Sequence, residues 1–408
     1  MAGRWKSANS RNVKEFQKRQ RMRASSPRRV DAAPWTTLFA NQRKCALFPF
    51  SMPNPMNGSY ADLRDMIMKR KKIFDLLALL ISIVIAALST EVAVRAFVDD
   101  GMQYDLEMWK YALEVKGISS DPLIGHNHRP SRHAFLMGVQ FDTNSKGLRD
   151  GEFSYEKPPG KLRILMLGDS LTVGWGAKFE ETFPKRIERL YADRGIPVQV
   201  INTGVGNYNT IQEVEYYITE GYKYGPDIVV LNFFVNDAEP VPAAHPPPAI
   251  LRICYSCVFI AGQVDSLFRE IFAKKDWADY YLSLYGNDGQ AKGWRDAKAY
   301  IAKLAAFTKT HGTKLLIANL PELHDVEHYR LQKITDLVHE AADEDGVAFV
   351  DLLPYLQGVP SRELWVTAPD PHPNGLAHKL FAEGIFQALE KLTVDETASS
   401  TESARSAR

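Results

Sequence analysis

A serine, an aspartate and a histidine stand in contexts suited to breaking an ester bond. Gly168-Asp169-Ser170-Leu171 follows the apolar run 162–167 and leads into Thr172-Val173-Gly174-Trp175-Gly176. A serine at a strand end is exposed where open sheets form their sites, and its own N–H points into the space where an oxyanion is held. The glycines let the backbone turn tightly there. Near the other end of the chain, Asp370-Pro371-His372-Pro373-Asn374-Gly375 brings a carboxylate and an imidazole together. A serine hydroxyl is a weak nucleophile until a base takes its proton, and the base needs a partner that fixes its tautomer. Two more segments end apolar runs. Asn202-Thr203-Gly204-Val205-Gly206-Asn207-Tyr208-Asn209 is able to present a backbone N–H, and Asn232-Phe233-Phe234-Val235-Asn236-Asp237 carries the side-chain amide of Asn236. Each segment alone also has a plainer reading: an N-capping serine, ordinary Asn/Gly turns, and a stiff proline turn before a helix.

The elements that position these residues alternate along the body of the chain. Strands are predicted at 162–167, 198–202, 227–233, 314–320 and 347–352, and helices at 179–194, 211–224, 294–311, 325–345 and 375–392. Uninterrupted apolar strands between amphipathic helices imply a parallel sheet covered on both faces. Sites in such sheets form beyond the carboxyl ends of the strands, where all four segments fall.

In order along the chain, these segments resemble the blocks of the SGNH/GDSL hydrolase family. The GDSL block matches at 168–171, the glycine-bearing block at 202–209, the GxND block at 234–237, and the terminal Asp/His block at 370–372, so the resemblance covers about 161–390. Upstream, Asp121-Pro122-Leu123-Ile124-Gly125 and Asn144-Ser145-Lys146-Gly147-Leu148-Arg149-Asp150 look like the lead-in of exported, membrane-anchored members. The resemblance implies a flavodoxin-like three-layer α/β/α fold with a parallel sheet of about five strands. It also implies ester hydrolysis through an acyl-enzyme, with no cofactor. Ser170 would attack, His372 would carry the proton, and Asp370 would orient His372. The oxyanion hole would be the N–H of Ser170, the N–H of Asn207 and the side-chain amide of Asn236, with Asp169 bracing the turn. Two positions depart from the pattern. Asn207 stands where the family usually has glycine, which Asn replaces best in the left-handed region, and Phe234 replaces the glycine of GxND.

The rest of the chain divides by charge. Residues 1–72 hold 17 Lys or Arg against 4 Asp or Glu, whereas the remainder holds 33 against 45. The basic arm, with Ser25-Ser-Pro-Arg-Arg29, reads as solvated and disordered, or as an extension upstream of a start at Met56, Met66 or Met68. Its functional reading is nucleic-acid or anionic-lipid binding, but no recognition module is legible in it. Lys69-Arg70-Lys71-Lys72 precedes an uncharged stretch of 15 residues, 76–90, and extending this to 73–97 reaches the ~20 residues of a spanning helix. The cations before it predict a cytoplasmic N-terminus and an exported body. A retained signal-anchor is favoured over a cleaved signal because no clean small-x-small site follows; a buried core helix is the other reading.

Residues 98–160 form a lead-in with little readable pattern, and its His126, His128 and His133 lack a companion carboxylate for a metal site. Three cysteines make no disulfide framework. Cys254 and Cys257, inside an apolar, helical-looking run at 250–272, read as buried structural residues, reduced or oxidised, and not as a zinc or redox motif. The Pro-rich stretch 240–248 either borders a cleft or is a stiff connection, and the tail 393–408 is predicted to be disordered.

The expected function is a membrane-anchored serine esterase, periplasmic if bacterial, whose substrate is an ester such as an acylated glycan or lipid. An O-acyltransferase working on an extracytoplasmic polysaccharide shares the same acyl-enzyme. A catalytically idle glycan-binding or assembly module is the alternative of a different class.

Overall fold

The computed structural model describes residues 60–242, 248–272, 276–286, 288–368 and 370–406. The basic arm up to residue 59 and the middle of the Pro-rich stretch lie outside them. The chain divides into two units, 1–72 and 73–408. All described residues of the first unit are helical, as the start of α1 (Tyr60–Ala93). The sequence suggested helix only from residue 73. Beyond Gly58, however, no Gly or Pro interrupts, Asp62 sits in the first turn, and Leu, Met, Lys and Arg favour the helix. A π-helical turn, Val94–Val98, continues α1. Tyr60–Val98 is long and apolar enough to cross a membrane: its most apolar 18-residue window has a mean hydropathy of 2.4, and none of that window is buried.

The body is built on five parallel strands: β5 (Leu162–Leu167), β6 (Val198–Asn202), β7 (Ile228–Phe233), β8 (Lys314–Asn319) and β9 (Ala348–Asp351). Their spatial order is β6-β5-β7-β8-β9, with Leu165 opposite both Ile201 and Val229. Successive side chains take opposite faces of a strand. Leu165, Leu167, Val229, Leu231 and Ile317 accordingly join one core, with α5 (Thr210–Thr219), α8 (Lys292–Thr310) and α9 (Gln332–Glu344). Ile164, Met166, Val230, Leu316 and Ala318 join another, with α4 (Phe183–Asp193) and α10 (Gly375–Ser406). This is the expected three-layer α/β/α arrangement. Because β5 has β6 on one side and β7 on the other, the chain reverses its progress across the sheet at β5. The crevice beyond its carboxyl end is the switch point where such sheets place their sites.

The lead-in is more structured than its sequence suggested. It contains α2 (Tyr104–Glu114) and two antiparallel hairpins, β1 (Lys116–Ile118) with β2 (His126–His128) and β3 (His133–Leu136) with β4 (Val139–Asp142). Tyr111, Val115, Leu136, Met137 and Phe141 pack around Val173 and Trp175, just after Ser170.

Elsewhere the differences have local causes. Residues 325–331 are not helical: the Asp325 carboxylate accepts the His328 N–H and Ser361 Oγ takes the Val326 N–H, side-chain bonds that compete with the helical ladder. The 250–272 run is broken into a 3-10 turn, Ala249–Arg252, and α6 (Tyr255–Phe272), followed by α7 (Trp277–Tyr285). Cys254 and Cys257 are joined in a disulfide at the start of α6 and are half-buried. Finally, α10 runs on to Ser406 where a disordered tail was expected after residue 392; no Gly or Pro follows Gly384 to stop it.

Candidate active site

Ser170 opens a short helix, α3 (Ser170–Val173), directly after β5. Asp169 caps that helix, its Oδ1 accepting the Leu171 N–H at 2.8 Å. The turn is too tight for any side chain at Gly168, since a Cβ there would lie 1.9 Å from Thr172 Oγ1. The loop after β6 approaches as closely: a Cβ on Gly204 would lie 2.4 Å from the Val173 nitrogen.

Asp370 and His372 come from the far end of the chain on β11 (Asp370–Pro373), paired antiparallel with β10 (Trp365–Thr367). Asn374 then caps α10 through the Leu376 N–H, so the helix-cap part of the plainer reading holds, whereas 370–373 form a strand and not a turn. The three side chains meet. His372 Nδ1 lies 2.5 Å from Asp370 Oδ1, and His372 Nε2 lies 2.9 Å from Ser170 Oγ. This network assigns the proton to Nδ1, leaving Nε2 to accept from the serine. Burial pushes the Asp370 carboxyl up, but its hydrogen bond and charge interaction with His372 outweigh this and hold it below the ordinary carboxylate range. The Tyr104 ring stacks over His372 at 6.1 Å between centroids.

Asn236 lies just beyond β7, and its Nδ2 donates to Asp169 Oδ2 at 3.1 Å. Asp169 thus touches both the turn and Asn236, as a brace would. Asn207 has φ +66°, the left-handed backbone that Asn tolerates. Behind these, Asp237 and Glu213 are buried; burial first, and neighbouring carboxylates second, push both well above the ordinary range, which favours their protonated forms.

The residues that sequence reasoning missed are those that hold the loops in place. Gly206 N–H donates to Tyr111 Oη at 2.9 Å, and Tyr111 Oη lies 2.5 Å from His128 Nε2, a chain in which the phenol O–H donates to the imidazole nitrogen. His126 Nε2 and Lys116 Nζ donate to Gly206 O at 3.0 and 2.6 Å, and Lys116 Nζ also reaches Asn207 Oδ1 at 2.8 Å. Desolvation pulls Lys116 down to about 7, His126 to about 4 and His128 to about 3. The lead-in histidines therefore clamp the Gly206–Asn207 turn, while His133 pairs with Asp142 at the surface. Arg149 is fully buried and gives its guanidinium to the carbonyls of Gln140, Val173, Gly174 and Ala177, which stiffens the segment after Ser170. These contacts join residues far apart in the chain, and no spacing rule announces them.

A cavity of about 270 Å³ opens beside Asp370 and His372, walled by Tyr104, Phe234, Tyr281, Leu323 and the pair Glu322–His324. Phe234 thus lines the cavity at the position where the family pattern has glycine. His324 Nδ1 is hydrogen-bonded to Glu322, and its ring stacks on Trp277 at 4.9 Å. A larger cavity, about 420 Å³, lies between the β3–β4 hairpin and Lys178–Phe179, and neither Ser170, Asp370 nor His372 lines it.

Residues 166–380, more than half of the chain, match the family described as GDSL-like lipase/acylhydrolase. The chain belongs to that family. This acylhydrolase is thereby an enzyme of ester bonds. Among solved structures it is similar to TesA, at 14% identity over 56% of this chain and 99% of that one, with a TM-score of 0.38. It is also similar to the esterase EstA from Pseudoalteromonas sp. (12% identity, 57% and 98% covered, TM-score 0.37). A third likeness is to a two-domain esterase active on acetylated mannans (17% identity, 58% and 50% covered, TM-score 0.36). These distant likenesses say nothing of this chain's own substrate. No protein of curated function matches the chain.

Proposed function

We propose that the chain is a membrane-anchored serine esterase that removes small acyl groups from a hydroxyl-rich alcohol, such as O-acetyl groups on a glycan, outside the cytoplasm. The observation that carries the reading is the continuous hydrogen-bonded line Ser170–His372–Asp370 at the sheet's switch point. Ser170 Oγ attacks the ester carbonyl as its proton passes to His372 Nε2. The imidazolium, stabilised by the buried Asp370, returns that proton to the leaving alcohol, and water then resolves the acyl-enzyme by the same route in reverse. The oxyanion is held by the N–H of Ser170, the N–H of Asn207 and the Asn236 amide, one hydrogen of which remains after the bond to Asp169. Aromatic walls with one further carboxylate–imidazole pair, Glu322–His324, suit a sugar better than a long acyl chain, which would want an unbroken apolar tunnel. Tyr60–Val98 serves as the anchor, and the Lys69–Lys72 cations keep its N-terminal side cytoplasmic.

The test is turnover of p-nitrophenyl acetate by the full chain in detergent, beside Ser170→Ala. Loss of turnover in the variant, together with fluorophosphonate labelling of the wild type alone, is expected. Equal rates in the two proteins would sink the reading.

A further inference from the structure

Helix α6 has two unlike sides. One packs against α2 and the end of the apolar α1 segment. Trp109 Nε1 donates to Leu251 O at 2.7 Å, and its ring meets Tyr255 edge-on at 4.8 Å. Glu91, near the end of α1, accepts the Ser256 N–H at 2.8 Å and the Tyr255 N–H at 3.1 Å, so it caps α6. Arg95 donates to Ile253 O at 2.6 Å and lies over the Tyr255 ring. The Cys254–Cys257 disulfide closes the same first turn.

The other side carries an exposed apolar stripe. Ile260, Val264 and Leu267 recur at helical spacing along one stripe and are 49%, 59% and 54% exposed. Ile250 and Ile253, just before the helix, extend the patch at 60% and 65%. Side chains of the spanning segment itself are exposed to the same degree, Leu77 at 52% and Ile83 at 55%. A patch of this kind on a folded body calls for a cover.

We propose that α6 lies in the plane of the membrane, with Ile260, Val264 and Leu267 set into the lipid at the surface where α1 emerges. This rests on the reading of Tyr60–Val98 as a membrane span. The bilayer is the occupant because α6 starts at the residues that touch the end of that span, and three direct contacts hold it there. The lipid that covers α1 is therefore continuous with the lipid that would cover α6. An apolar helix face at this level sinks about 5–10 Å into the headgroup and acyl boundary. The disulfide and the Glu91 cap fix the angle at which the helix leaves the span. On its inner side α6 packs on α2, whose first residue, Tyr104, reaches His372, so the same packing ties the membrane contact to the cleft.

The full chain, with Cys45→Ser and one added cysteine, is spin-labelled and reconstituted in vesicles of phosphatidylcholine and phosphatidylglycerol. Collisions with lipid-soluble oxygen and with a water-soluble nickel chelate then report depth. The label goes at Val264→Cys, with Ile260→Cys one turn earlier as a second reporter, Ile83→Cys in the span and Lys309→Cys on an exposed helix of the body. The expected result is a deep label at 83, shallow lipid contact at 260 and 264, and an aqueous label at 309. A deep label at 83 with aqueous labels at 260 and 264 would overturn the in-plane helix and leave the span standing. Shielding of 260 and 264 from both reagents would mean that a second copy of the chain covers the stripe, and would overturn it too. An aqueous label at 83 would overturn the span and this proposal together.

Discussion

Two carboxylate–imidazole pairs face one cavity, and only one of them reaches a serine hydroxyl. Asp370 and His372 stand two residues apart on β11; Glu322 and His324, with the same spacing, follow β8. In both pairs Nδ1 of the ring is joined to the carboxylate, and both carboxylates are buried. The outer nitrogen of His372 meets Ser170, whereas the ring of His324 is stacked on Trp277 with Trp365 at its edge. A local spacing is enough to make the pair. What its free side does is decided by which strand end it occupies: β11 lies against the α3 turn, and the end of β8 lies at the cavity wall.

The largest effect expected is therefore a contrast. His372→Gln should lower kcat/KM on an activated ester by ~10⁴ or more, as loss of a triad base does. His324→Gln should leave kcat within about tenfold and act mainly on KM for a bulky alcohol. Similar losses of kcat in both variants, measured with a small and a bulky ester, would break the comparison.

The second effect sharpens it by asking what holds the Ser170 side in place. Tyr111→Phe removes the hydroxyl between the Gly206 N–H and His128 Nε2. Each buried group left unpaired costs about 1–3 kcal/mol, read as a lower urea midpoint. An unchanged midpoint would mean that the lead-in does not brace this loop.

The smallest effect is on pH. His128 belongs to neither pair, and burial lowers it from the ordinary 6.5 to about 3. The folded chain refuses a proton that the unfolded chain takes. Its contribution is complete above 6.5 and declines as pH falls toward 3. Between pH 7.5 and pH 5 the loss is about 1–2 kcal/mol. His128→Gln, which does not titrate, should flatten the stability profile by about one proton over that interval; an unaltered slope would count against the clamp.

Much of the sheet was legible because buried parallel strands carry continuous apolar runs: β5 and β6 begin and end where the sequence predicts. The segments ending in Ser170, Asn207 and Asn236 were legible for the same reason, since each directly follows such a run. The lead-in was not. Its strands are three or four residues long, and its function lies in contacts such as Lys116 with Gly206 and Arg149 with Val173, which no periodicity encodes. Glu322-Leu323-His324 carries a legible signal of its own, the same carboxylate–x–imidazole spacing as Asp370-Pro371-His372.

The sequence by itself determined which groups can do chemistry. Residue types and backbone preferences are local, and they place a serine after a strand, an acid two residues before a histidine, and an apolar helix after a run of cations. Only the tertiary structure decided which imidazole faces Ser170, which residues hold the Gly206–Asn207 turn, and that α6 is tied to the end of the α1 segment. Each of those depends on chain segments far apart in sequence meeting in space, and that meeting is set by how the layers pack.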